Sequence, residues 1–301
     1  MRILIAGGTG LIGKRLTETL SKDGNEIVVM TRSENSNSGN IATYVKWSGK
    51  QDDMSWVKRT GKIDAVFNLS GRSISDKWNE EVKRAIDNSR IDSTKAIVEG
   101  IRNMDDAPEV LINASAIGYY GSRGDEVLTE DSDPGDDFFA RLCVNWENEA
   151  FKAQDYGLRV IATRTSIVLD SNEGALPQIV APLRRGIGSR LGSGKQWMSW
   201  IHGHDVSRAM SFLLKGSIHG PVNLSAPSPV VNKEFMQTVA RAIGKKARLP
   251  APAAILKGML GEMADYLLLT SQRVSSKKLQ DSGFSFEYPE LETALKSILS
   301  Q

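Results

Sequence analysis

Short apolar runs alternate with longer amphipathic stretches through the first half of the chain. Residues 2–6, RILIA, stay apolar after Arg2, the pattern of a strand buried on both faces. Glycines follow at Gly7, Gly10 and Gly13, and Leu16 and Leu20 then recur at helical spacing until Gly24 ends the helix. The same alternation continues. Residues 26–30 (EIVVM), 43–47, 64–69, 110–114 (VLINA) and 158–169 predict further strands. Residues 77–102 predict a long charged helix with apolar pairs Val82/Ile86 and Ile97/Ile101, and 138–154 another with Phe139, Cys143, Trp146 and Ala150 along one face. Strands alternating with helices predict an α/β protein, a doubly wound parallel Rossmann sheet.

From Asp170 the pattern becomes irregular. A helix is expected over 175–185 and a basic glycine loop over 184–195. A strand is expected over 196–201, on which Gln196, Met198, Trp200 and His202 would share one face. His202 to Asp205 should cap a helix running to Lys215, followed by a strand at 222–225. A helix over 232–243, opened by an Asn232 cap, precedes a proline-marked linker at 249–252 and two or three last helices. These elements divide the chain into a nucleotide-binding domain at 1–169, to which 202–225 returns, and a smaller, mainly helical substrate-side region at 170–201 and 226–301. The stretch 196–201 and the basic loop are expected to line the substrate cleft.

Composition narrows the function classes. With 38 Lys and Arg against 36 Asp and Glu in 301 residues, no net field points to nucleic acid or an anionic membrane. No apolar run reaches the ~20 residues of a membrane span. The single cysteine, Cys143, fits a reducing compartment, and the chain begins inside a strand, so a cytoplasmic protein is expected. His202 and His204, with His219 the remaining histidine, make a poor ligand set, so no metal is expected. A small-molecule substrate is the expected partner, with a homodimer one candidate assembly.

The candidate chemistry sits at strand ends. Strand, glycine turn and helix over 1–24 form the context of a dinucleotide fingerprint: Gly7 for the turn, Gly10 for approach of the backbone to a pyrophosphate, Gly13 for close packing. The second strand ends in Thr31, Arg32 and Ser33 with no acidic residue, which suits a 2′-phosphate and hence NADP(H). Asn68, Leu69, Ser70 and Gly71 form a small polar turn at the end of another strand. Ser115, Tyr119 and Tyr120 follow the strand at 110–114, where open parallel sheets place their chemistry. The acidic, turn-rich stretch 121–137 is either a lid or a solvated loop.

Taken together, GGTGLIG, NLSG, SAIGYYG, QWMSWIHGHD and the late SQRVSSKKLQDSGFSFEYPEL are similar to the extended short-chain dehydrogenase/reductase superfamily, the NAD(P)-dependent epimerases and dehydratases. More narrowly the chain resembles atypical epimerase-family proteins with a small C-terminal helical domain. The resemblance covers nearly the whole chain. It implies an NADP(H) site formed by Gly7, Gly10, Leu11, Ile12, Gly13, Thr31, Arg32, Leu69, Ser70 and Arg90, the last assigned only through the family's SRxxxT motif. It also implies epimerase- or reductase-type chemistry on a small polar or nucleotide-linked substrate. One departure matters. The superfamily passes protons with a Tyr-x-x-x-Lys pair, in which the lysine lowers the tyrosine pKa. Alignment on Trp146 and Glu147 puts Phe139 at the tyrosine position and Cys143 at the lysine position. Ser115 is then expected to orient the substrate and Tyr119 or Tyr120 to donate the proton, with Cys143 a weaker candidate. Because the Tyr-x-x-x-Lys pair is missing, the alternative is a non-catalytic NADP(H)-sensing or regulatory protein; some relatives carry cell-division names.

Overall fold

The computed structural model describes residues 1–32, 41–50, 52–76 and 78–299. Seven parallel strands form the central sheet: β1 (Arg2–Ala6), β2 (Glu26–Thr31), β3 (Thr43–Lys46), β4 (Ala65–Asn68), β5 (Val110–Ala116), β6 (Arg159–Thr165) and β7 (Gly220–Leu224). Their order is β7-β6-β5-β4-β1-β2-β3. Chain order reverses at β1, which pairs with β2 on one side and β4 on the other. The crevice of such a sheet opens at that reversal.

Both faces of β1 are covered, which is why its sequence shows no alternation. Ile3 and Ile5 pack with Leu16 and Leu20 of α1 (Leu11–Lys22) and with Leu213 of a later helix, Gly203–Lys215. Leu4 and Ala6 face the other way, onto Ile97 and Ile101 of α2 (Glu80–Arg102). Asn79 starts α2 by accepting from the Val82 amide, so this helix begins at Glu80, later than the residue pattern predicts. The helix after β5 is α3 (Phe138–Phe151), capped by Asp137. No helix among the described residues is long and apolar enough to cross a membrane.

A third core lies outside the sheet, where Leu176, Trp200, Phe235 and Leu295 pack together. Three expectations for this region need correction. The stretch 196–201 is two strands rather than one: Trp197–Met198 pairs antiparallel with Val230–Val231, and Trp200–His202 pairs parallel with Ile167–Leu169. Ser199 separates them, its hydroxyl donating to the Gln272 carbonyl and accepting from the Val274 amide. The basic loop contains a strand, Ile187–Leu191, which pairs with Leu249–Ala251 from the expected linker. Asn232 does not cap its helix; its side chain accepts from the Leu191 amide and donates to Met198 Sδ. The stretch 121–137 is tied down, with Val127–Leu128 pairing with Arg273–Val274 and Leu128 fully buried.

His202 joins the Gly203–Lys215 helix to the C-terminal segment. Its Nδ1 accepts from the His204 amide, so Nε2 carries the proton and donates to Ser297 Oγ at 3.1 Å, while the ring stacks on Tyr288 at 4.0 Å. Burial, partly opposed by Asp205 and reinforced by Arg15 and His204, lowers its pKa from 6.5 to about 4. A folded-state pKa below the unfolded value means that the stabilisation is complete above pH 6.5 and is lost as pH falls through about 4. His202→Asn keeps a capping acceptor and does not titrate. Urea unfolding should show the stability advantage of wild type over this variant shrinking by roughly 2–3 kcal/mol between neutral pH and about pH 4. An advantage constant with pH would refute a neutral, buried His202.

Candidate cofactor and substrate site

The turn between β1 and α1 is built around three glycines with different duties. Gly7 adopts φ 78°, and a Cβ there would lie 2.5 Å from the Leu69 carbonyl oxygen. A Cβ on Gly13 would lie 2.3 Å from the Gly7 oxygen, so this residue lets α1 press against the turn. Gly10 is different: a Cβ would meet nothing nearer than 3.5 Å, and its face is open to the crevice. Gly10 also caps α1 without a side-chain hydrogen bond, leaving first-turn N–H groups for an anion.

Two cavities meet over this turn, sharing Gly7, Gly10 and Leu69. One, of about 500 Å³, is lined by Thr31, Arg32, Ser70 and Gly71. The other, of about 340 Å³, is lined by Leu11, Ile12, Gly13, Arg90, Ser115 and Cys143. The expected cofactor residues are thus brought together, apart from Ser33, which lies outside the described residues. The donor set fits a phosphorylated dinucleotide, with a cation and hydroxyls at one end, backbone N–H groups in the middle and a largely apolar pocket at the other. Arg90 runs from α2 along this pocket; Nη1 donates to the Ile86 carbonyl and the guanidinium lies 5.2 Å from the Trp146 ring centroid. Burial lowers its pKa, against the pull of Cys143 and Asp87.

Behind the smaller cavity lies a buried polar chain. Ser115 Oγ donates to Glu147 Oε1 at 2.5 Å. Arg164 holds both oxygens of that carboxylate, Nε to Oε1 and Nη2 to Oε2, each at 2.9 Å. Its Nη1 donates to Tyr120 Oη at 3.1 Å, and Tyr120 donates onward to Asn223 Oδ1 at 2.7 Å. Burial works against the Arg164 charge, but Glu147 outweighs it, and the pKa is raised. On the other side of β5, Asn68 Nδ2 donates to Asn113 and to Thr94, whose hydroxyl also accepts from the Trp146 indole.

The structure separates the four candidates for chemistry. Ser115 and Cys143 line the cavity. Tyr120 does not: it is fully buried, its hydroxyl is engaged on both sides, and burial pushes its pKa up to about 12 despite Arg164. Tyr119 is half-buried, its ring lying 3.4 Å under the Arg164 guanidinium, and it too is absent from the lining. Burial, then the charge of Glu147, push the Cys143 thiol up to about 12, so it stays protonated at neutral pH. Phe139 stands in the same wall as Cys143.

Neither cavity takes a lining residue from 184–201, contrary to expectation. That stretch is consumed by its own packing: Trp200 is core, and Gln196 donates to the Leu191 and Leu268 carbonyls. Glu147 and Arg164 went unassigned in the sequence, though each carries a signal. Glu147 falls one helical turn from Cys143 on an otherwise apolar face, and Arg164 interrupts a buried strand, where a cation requires a partner.

Comparison with known proteins agrees with this fold. Residues 3–224 match the sequence pattern of the NAD dependent epimerase/dehydratase family, and residues 251–298 match DUF1731, a domain of unknown function. Epimerase family protein YfhF of Bacillus subtilis is 35% identical over 302 residues, spanning 100% of this chain and 98% of the relative. The crystal structure of human epimerase family protein SDR39U1 with NADPH superposes with a TM-score of 0.88 at 30% identity, over 100% of both chains. A nucleoside-diphosphate sugar epimerase from Corynebacterium glutamicum superposes with a TM-score of 0.80 at 29% identity, over 99% of this chain and 58% of that one.

Proposed function

We propose that this chain, which belongs to the NAD-dependent epimerase/dehydratase family, binds NADP(H) across the two joined cavities and presents its nicotinamide to a small molecule held against Ser115. The observation that carries the reading is that the two cavities share Gly7, Gly10 and Leu69, with Arg32 lining one and Ser115 the other. The NADPH found with the human relative supports the same cofactor here. Thr31 and Arg32 would hold the 2′-phosphate, the first turn of α1 the pyrophosphate, and Arg90 the wall beside the ring. When bound, the cofactor supplies or accepts a hydride. Ser115 positions the reacting group of the substrate. Residues 1–169 and 202–225 form the nucleotide-binding part in this reading, and 170–201 with 226–301 the smaller substrate-side region.

Arg32→Asp should leave the fold intact and erase the preference for NADPH over NADH. Charge-assisted bonds to a phosphate contribute about 1.5–3 kcal/mol, hence about tenfold or more in affinity. Titration of both cofactors into both proteins decides it, and equal wild-type affinities would sink the NADP(H) assignment.

A second reading, an NADP(H)-responsive protein without turnover, is favoured by one observation. Among the described residues lining the Ser115 cavity, the titratable ones are Arg90 and Cys143; a guanidinium is a poor proton relay, and burial pushes the Cys143 thiol up to about 12. Catalysis would then depend on Ser115 and water. Stoichiometric NADPH binding with no hydride transfer to any carbonyl tried would select this reading.

A further inference from the structure

The cavity over Ser115 is walled largely by carbon. Leu11, Ile74, Phe139, Leu142 and Val168 all face it. Phe139 is itself packed on further rings: Trp78 meets it edge-on at 5.0 Å and stacks on Tyr266 at 5.8 Å. Tyr266 belongs to the helix Glu262–Leu267, so the C-terminal region supports Phe139 from behind, and Lys83 of α2 pairs with Glu262 of that helix.

The charges present do not suit a nucleotide-linked sugar. Arg90 is the cation among the described lining residues, and it is engaged with the Ile86 carbonyl and the Trp146 face. Arg164 stands behind the wall with its guanidinium committed to Glu147. A second diphosphate would be left without the forked cations that such groups call for. A volume of about 340 Å³ lies at the small end for ligand sites, and the reacting ring of the dinucleotide takes part of it.

Ser115 fixes the polarity of the one strong polar contact. A hydroxyl has a single proton and two lone pairs. That proton goes to Glu147, whose oxygens are both held by Arg164. The carboxylate has no proton to give back, and the protonated Cys143 thiol beside Ser115 takes one of its lone pairs, so a single lone pair is left for a ligand in the cavity. It accepts from a ligand and does not donate.

We propose that the molecule held against Ser115 is a compact, largely apolar alcohol whose hydroxyl donates to Ser115 Oγ, and not a nucleotide-linked sugar; this rests on the crevice being the NADP(H) site. The test uses protein saturated with NADPH, which cannot take a hydride from an alcohol, so binding alone is measured. Calorimetry is run with borneol, with bornyl chloride (the same cage without the donor) and with UDP-glucose. Borneol should bind, bornyl chloride should bind about tenfold or more weakly, as expected where a site built for a hydroxyl loses it, and UDP-glucose should not displace borneol. Ser115→Ala should bring the two cage compounds to similar affinity. Equal binding of the two by wild type, or binding of UDP-glucose in place of borneol, overturns the proposal. The wild-type comparison decides even if the variant fails to fold. Failure of NADPH itself to bind, seen in the preceding titration, would instead overturn the crevice reading and this proposal with it.

Discussion

Arg164→Met should lower the unfolding free energy by about 3–5 kcal/mol, the usual loss when one partner of a buried ion pair is removed. Arg164 is 3% exposed and Glu147 4%. Methionine fills much of the arginine volume but leaves the Glu147 carboxylate in a closed interior with the Ser115 hydroxyl as its remaining donor among the described contacts. It also removes the bond to Tyr120 and the cation over the Tyr119 ring. An orphaned carboxylate is relieved by taking up a proton, so the loss should be smaller in acid than at neutral pH. Two companion variants separate charge from volume. Adding Glu147→Gln to Arg164→Met removes the stranded charge and should restore about half of the loss. Arg164→Lys should restore little, because a point charge cannot grip both carboxylate oxygens and Tyr120 at once. Urea denaturation of the three proteins measures this, and a loss below about 1 kcal/mol for Arg164→Met would show that the network does not hold β5, α3 and β6 together.

The nucleotide-binding half was legible because its signals are local. In β1, Ile3, Ile5, Leu4 and Ala6 bury two faces, and that need shows in sequence as an apolar run. Gly7 is required by its own φ, and Gly13 by backbone contacts with Gly7 and Gly8 in the same turn. The region after Asp170 was less legible because its partners are distant in sequence. Ser199 breaks a strand by bonding to Gln272 and Val274, and no pattern within 196–201 announces that contact. Asn232 has the composition of a cap, yet tertiary bonds to Leu191 and Met198 claim its side chain.

The candidate site divides along the same line. Gly10, Arg32, Leu69 and Ser115 could be found from their place at strand ends, since the sheet topology alone gathers strand ends into one crevice. Tyr119 and Tyr120 follow a strand end as well, but the tight turn Ile117–Tyr120 swings them behind β5, toward Arg164 and Asn223. Position along the chain does not reveal which side of a turn a ring will take. Arg90 illustrates the converse: on a charged helix it has no local mark, and its role comes from the family motif and its place in the cavity wall.

Gly13→Ala and Gly10→Ala should part company sharply, although both add one methyl to the same turn. At Gly13 the new carbon would lie 2.3 Å from the Gly7 oxygen and 2.6 Å from the Gly8 Cα, both backbone atoms that cannot rotate away. The start of α1 must lift off β1, which disturbs Leu16 and Leu20 in the core beneath. Overpacking of this kind costs about 1–3 kcal/mol or somewhat more, and NADPH affinity should fall with it, because the first-turn N–H groups move with the helix. At Gly10 the new carbon meets nothing nearer than 3.5 Å and φ is −80°, so the fold should change by no more than about 0.5 kcal/mol. Yet Gly10 lines both cavities, and a methyl there occupies the space where a pyrophosphate must approach the backbone. Its NADPH affinity should drop at least about tenfold, roughly the loss of one charge-assisted bond. Thermal unfolding without cofactor, paired with NADPH titration, reads the two effects separately. A Gly10→Ala protein that binds NADPH as wild type does would place the pyrophosphate elsewhere and refute the crevice assignment, whatever happens at Gly13.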